Sequence, residues 1–226
     1  MLFRSTGSID RLDKLADFCE QHKLWYHIDA SYGAAFLMHG ESAEKFAGQD
    51  RANSISWSPS LRLHVPHPSS LLILKGKKSP EEGHLAESKG FSISRSMDGQ
   101  LLNHILPLFL VLKHFGESGV DALLDHSLNK ANEFANYLKR QSDFALLFEP
   151  MLDTVCFRYV SSGKFSREEI NHFNEKVPRV LYEKGEYVLS LVTVHKEKYL
   201  KANPISPLTT MDHLMALVRE IRSLDR

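Results

Sequence analysis

The chain has 226 residues, room for one large domain or a large and a small one around a sizeable core. Lys plus Arg (28) balances Asp plus Glu (28), hydrophobic residues make up 42%, and Gly (12) and Pro (9) stand at ordinary levels, which excludes disordered, collagen-like and low-complexity classes. A formal net charge of zero, with no basic run longer than two residues, also excludes a nucleic-acid surface or a polybasic membrane patch. The two cysteines, Cys19 and Cys156, are too few for a disulfide framework and fit buried thiols in a reducing cytoplasm.

The first residues lack a charged region leading into an apolar stretch, so no signal peptide is expected. Ser5 to Ser8 read as a strand edge or turn. Arg11 to about His22 then reads as a helix with Asp10 as N-cap and Leu12, Leu15, Ala16 and Cys19 on one face. Leu24-Trp25-Tyr26-His27-Ile28 is a short apolar run stopped by Asp29, the pattern of a buried strand. Small residues follow from Ala30 to Ala35, then a polar, helical stretch from Glu41 to Ala47. Ser54–Trp57 and Leu71–Leu74 read as further strands, separated by a loop with Pro59, Pro66 and Pro68. This alternation predicts an α/β layer with a largely parallel sheet.

Ser79 to Gly90 is loop-like. Helices are expected from Asp98 to Phe115, closed near Gly116, and from Gly119 to Arg140. The apolar segment Ile105 to Leu112 contains Pro107 and is too short to cross a bilayer. An α+β pattern follows, with strands at Ala145–Phe148, Thr154–Tyr159, Tyr187–Val194 and Tyr199–Ala202. Its helices are Arg167–Lys184 and Met211–Ser223, the second capped at Thr209/Thr210. A boundary near Ser142 divides residues 1–141 from a small C-terminal α+β domain, 142–226. Phe109, Phe115, Phe134 and Trp25 are assigned to the core.

In parallel α/β sheets a ligand lies beyond the carboxyl ends of the strands, where a polar group closes an apolar run. Asp29 is such a group, and small residues beyond it admit a flat ring. A carboxylate there can pair with a cationic ring nitrogen. It can equally cap the next turn, with His27 a satisfied core histidine; the strand alone leaves both readings open.

Further segments decide between them. Ser5-Thr6-Gly7-Ser8-Ile9-Asp10, Leu24 through Gly33, and Ser56-Trp57-Ser58-Pro59 together resemble the pyridoxal-phosphate-dependent group II amino-acid decarboxylases, the glutamate, aromatic amino acid, sulfinoalanine and diaminobutyrate decarboxylases among them. The likeness continues through Ser94 to Asp98, Asn129 to Arg140, Thr154 to Tyr159, Leu200-Lys201 and Ser206 to Thr210. It implies a partial type I aminotransferase-like large domain followed by the small C-terminal domain, with pyridoxal 5'-phosphate as cofactor. It assigns Asp29 to the pyridinium nitrogen and Ala30 to one face of the ring, with His27 beside them. Pairing the nitrogen with a carboxylate keeps the ring protonated and able to accept the electrons that a departing carboxylate leaves behind.

The departures from the family pattern are chemical. The family's Trp-x-Pro-His-Lys lysine forms the imine with the cofactor. In Trp57-Ser58-Pro59-Ser60-Leu61, Ser60 takes the His position and Leu61 the Lys position, 32 residues after Asp29 with no gap needed. Leu has no amine, and the guanidinium of Arg62 stays protonated, so neither forms an imine. Lys75 is expected at the far end of its strand. Near the C-terminus, Lys201 stands where family members often carry an Arg for the substrate carboxylate, and Ser206 replaces an Asn. A lysine holds an anion as a point charge without the bidentate fork.

The family's phosphate-gripping and ring-stacking residues precede the segment that begins here, and no Gly-rich phosphate loop replaces them. Unpaired sheet edges invite association, so a homodimer or pairing with a homologous chain is expected. His64-x-x-His67 has metal-like spacing but no evident third ligand, and Arg95 with Asp98 suits helix capping. Two readings result: a cytoplasmic decarboxylase family member, degenerate because the imine lysine and phosphate site are missing, or a non-catalytic structural or regulatory partner of a full-length homologue.

Overall fold

The computed structural model describes residues 3–66, 69–76, 101–161 and 165–225. The loop at Ser79–Gly90, the Ser94–Asp98 motif and His67 lie outside them. Contacts divide the chain into two compact units, Arg11–Leu124 and Met1–Asp10 with Asp125–Arg226.

A helical turn, α1 (Phe3–Thr6), stands in the second unit where a strand edge or turn was expected, and in the first unit a helix, α2, runs from Leu12 to Gln21. Arg11, not Asp10, occupies the N-cap, and no side chain caps it. Its guanidinium reaches forward onto the first turn instead, donating to both carboxylate oxygens of Asp13. Leu12 and Ala16 are buried, whereas Leu15 is exposed, so the apolar stripe is narrower than the spacing predicts. The loop at Gly48 passes directly over this helix. Gly48 has φ 94°, and a Cβ there would lie 2.7 Å from the Asp13 backbone, so only glycine fits.

A three-stranded sheet follows, in the order β1 (His27–Asp29), β2 (Ser54–Trp57), β3 (Leu71–Leu74). The β1–β2 pair is parallel, with Asp29 opposite Ser56; the β2–β3 pair is antiparallel, with Ser54 opposite Leu74. The sheet is therefore mixed, not largely parallel. The described residues between Trp57 and Leu71 hold no α-helix to cross over the sheet, and β3 returns in the opposite direction. The small residues beyond β1 form a 3-10 turn at Ala34–Met38 anchored by fully buried Phe36, and the polar stretch 41–47, expected as a helix, forms a second 3-10 turn at Ala43–Phe46.

A helical stretch, α3, covers Leu101–Lys139 and breaks at Gly116, whose φ of 62° and ψ of −172° belong to neither helix. Phe109 and Phe115 are exposed on it, and Trp25 is 67% exposed ahead of β1. Of the four aromatics assigned to the core, Phe134 alone is buried.

In the second unit, the C-terminal part of α3 packs on an antiparallel sheet in the order β4 (Phe144–Leu146), β5 (Val155–Tyr159), β7 (Glu197–Ala202), β6 (Ser190–Val194). The division into units falls at Leu124/Asp125, within α3, ahead of the boundary expected near 142. Ala131, Phe134, Ala135 and Leu138 join Phe157, Leu200, Leu181 and Ile221 in one core, together with α4 (Arg167–Glu183) and α5 (Met211–Ser223). Buried Asn174 of α4 clamps helix to sheet: it accepts from the Tyr159 N–H and donates to the Tyr159 and Ile170 carbonyls. Ser166 and Thr210 form capping boxes at the starts of α4 and α5. No helix among the described residues is long and apolar enough to cross a membrane.

Candidate functional site

The parallel strands β1 and β2 end side by side, and Asp29 closes the first of them. Side chains two apart on a strand share a face, so His27 and Asp29 stand beside Ser54 and Ser56. All three hydrogen bonds to the half-buried Asp29 carboxylate go to Oδ1. The Ser31 hydroxyl donates at 2.6 Å, the Ser31 N–H at 3.1 Å and the Ser56 hydroxyl at 2.9 Å. Oδ2 accepts none among the described residues. The Ser31 hydroxyl is the main cause holding the Asp29 carboxyl below its ordinary range. Partial burial opposes it, and the Ser31 N–H, the Ser56 hydroxyl and His27 assist.

The backbone beyond Asp29 is fixed from both sides. The buried Ala30 donates its N–H to the Ser56 carbonyl, and its own carbonyl accepts from Gly33 and Ala34. His27 is exposed, its Nδ1 2.8 Å from the Ser54 hydroxyl, which also accepts the Trp25 indole N–H at 2.9 Å. Asp29, Ala30 and His27 are thus contiguous at one sheet end. The serines that orient Asp29 were not singled out from sequence. Their signal was a hydroxyl two residues beyond the strand-end carboxylate and another where the neighbouring strand ends.

The Ser60 and Leu61 positions come to this same end. The Ser58 N–H donates to the Ser31 carbonyl, and Pro59–Leu61 forms a 3-10 turn that leaves Leu61 41% exposed. Arg62 is buried, with its guanidinium 3.7 Å from the centre of the Tyr32 ring and one N–H donated to the Leu61 carbonyl. Lys75 lies at the opposite end of the sheet. Its N–H pairs with the Asn53 carbonyl and its ammonium with the Asp50 carbonyl, three residues along β2 from Ser56, about 10 Å away.

Lys201 belongs to the second unit, half-buried on β7 opposite Cys156 and Ser190. Exposed Ser206 follows in the turn before α5. His64 is exposed with a positive φ, and the partner required for a metal pair lies outside the described residues.

Residues 4–160 match the model of the pyridoxal-dependent decarboxylase conserved domain. An aromatic-L-amino-acid decarboxylase of Bacillus atrophaeus is 25% identical over 236 residues, 96% of this chain and 48% of its own length. An acidic amino acid decarboxylase of Mus musculus is 27% identical over 242 residues, 97% of this chain and 44% of its own. The chain therefore spans about half the length of the curated relatives it matches. Among solved structures, mouse CSAD in apo form superposes with a TM-score of 0.82 at 21% identity, over 96% of this chain and 49% of that one, and shares the fold.

Proposed function

The chain belongs to the pyridoxal-dependent decarboxylase family, and from that premise we propose that it keeps the family's recognition of the cofactor ring while lacking the covalent anchor that decarboxylation requires. Asp29 carries this reading. Its carboxylate is held ionised at a strand end, with one oxygen taking all the serine donors and the other without a donor among the described residues, as a ring N–H partner requires. The ring-nitrogen end of the site fits pyridoxal phosphate, with Ala30 and His27 beside it. Among the described residues the imine end does not, since Leu61 offers no amine, Arg62 is stacked on Tyr32, and Lys75 sits at the far end of the sheet. When bound, the cofactor supplies an electron-accepting ring for carbanion stabilisation; this chain's part is to orient that ring and keep its nitrogen protonated.

Mixing the protein with pyridoxal phosphate, reducing with borohydride and mapping peptides tests the reading. The expected outcome is no stoichiometric label on any one lysine and no carbon dioxide released from glutamate, aspartate or an aromatic amino acid. A single labelled lysine with carbon dioxide release would overturn it.

A specific feature favours a second, compatible reading, in which the chain acts as a structural or regulatory partner of a second copy or a homologous chain. Large apolar side chains stand at the surface of the first unit: Trp25, Leu72, Ile73, Leu106, Phe109 and Leu110 are each more than half exposed, and association would remove them from water. β3, an edge strand among the described residues, adds unpaired backbone groups. Light scattering after size exclusion should give a dimer; a cooperative monomer would refute this. Two free cysteines suit a reducing compartment, and we place the chain in the cytoplasm, which fractionation would check.

A further inference from the structure

We infer that Ser31 is a positioning residue for Asp29, fixing the carboxylate so that Oδ2 alone is presented to a protonated heteroaromatic nitrogen. This rests on the ring-binding reading above and goes beyond it by identifying what sets the direction and charge of the acceptor.

The geometry is specific. A hydroxyl carries one proton, and the protons of Ser31 and Ser56 are both committed to the same oxygen, at 2.6 Å and 2.9 Å. The two hydroxyl oxygens lie 3.3 Å apart, so they converge on Asp29 from adjacent positions. The Ser31 N–H completes the set at 3.1 Å. A quarter-turn of the carboxylate about its Cβ–Cγ bond would break all three bonds, whereas leaving it in place keeps one oxygen without a donor among the described residues. Charge follows geometry. Hydrogen bonds to an ionised carboxylate favour the ionised form, and an anion beside a pyridine-type nitrogen favours the protonated ring. Ser31 supplies two of the three donors and is tied in turn through its carbonyl to the Ser58 N–H. It therefore couples the acceptor to the loop that carries Leu61.

The ligand class is a pyridinium or similar N-protonated heteroaromatic ring, and an aldehyde is not required, because nothing in this set of contacts engages one. Pyridoxine, which has the ring without the aldehyde, is the probe. Its affinity for the full chain is measured by calorimetry between pH 5 and 9, and the Asp29 carboxyl is titrated by carbon-13 NMR in the free protein. S31A is expected to weaken pyridoxine binding about tenfold, the scale of one hydrogen bond to a charged group. It should also raise the Asp29 titration midpoint and shift the pH profile of binding. S31T, which keeps the hydroxyl, should restore both. S56A, which removes one donor from the other strand, should shift the midpoint in the same direction and serves if S31A does not fold.

Unchanged pyridoxine affinity and an unchanged Asp29 midpoint in S31A would overturn the inference. The ring-binding reading has its own control. D29N should abolish the dependence of binding on ring protonation; if D29N binds pyridoxine as wild type does, that reading fails. Ser31 is then judged by the Asp29 midpoint alone, a rise supporting its role and no change refuting it.

Discussion

The guanidinium of Arg62 lies 3.7 Å from the centre of the Tyr32 ring. The residue beside Leu61 is thereby committed to the protein interior, while Leu61 itself is 41% exposed. Position 61 is open to a longer side chain and position 62 is not. The Leu61→Lys variant should fold with a stability change within about 0.5 kcal/mol, the scale of surface substitutions. It should also become the one lysine labelled by pyridoxal phosphate and borohydride. Denaturant unfolding and peptide mapping check the two halves. Arg62→Ala should instead cost roughly 2–4 kcal/mol, through a lost buried stack and hydrogen bond.

Acid stability should depend on Asp143. Arg222 binds both of its carboxylate oxygens, each at 2.6 Å, and holds the Asp143 carboxyl below its ordinary range against the effect of burial. Because the folded value is depressed, the stabilisation is present above the unfolded value of about 4 and is lost as pH falls through the folded one. Asp143→Asn should lower stability by a constant amount above about pH 4, where the ion pair is intact, and flatten the slope of stability against pH below it, as read from midpoints of denaturant unfolding at stepped pH.

The two thiols should differ in reactivity. Burial pushes the Cys156 thiol up to about 11, and its hydrogen points at the Thr6 carbonyl. Cys19 is half-buried on α2. An alkylating reagent at pH 8 should modify Cys19 alone in the native protein and both after unfolding. Rapid modification of native Cys156 would contradict the packing of the second unit.

Asn174→Ala should destabilise that unit by roughly 3 kcal/mol, because it leaves buried backbone groups of Tyr159 and Ile170 without their partner. Far-ultraviolet melting would measure the loss.

Much of this was readable in the amino-acid order where local chemistry decides the outcome. Thr210 caps α5 because its hydroxyl reaches the His213 N–H, and the helix runs over Met211–Ser223 as its spacing predicts. Asp29 ends its strand because a carboxylate closes an apolar run, and Gly116 interrupts α3 because its backbone angles suit glycine. What depends on distant partners was not readable. Hydrophobicity placed Trp25 and Phe109 in a core, yet whether a surface is covered depends on what packs over it. The direction of β3 follows from a connection whose path the local sequence does not determine. Ser31 and Ser56 gained their role when β1 and β2 paired in register, which set the second hydroxyl beside the first.

The most direct measurement is the nitrogen-15 chemical shift of the ring nitrogen in labelled pyridoxal phosphate mixed with the protein near pH 8. The predicted result is a protonated ring nitrogen in the bound state that reverts to the neutral shift in Asp29→Asn, with no lysine trapped by borohydride in either protein. A neutral ring nitrogen in the wild-type complex, or no bound ring at all, would contradict the assignment of Asp29.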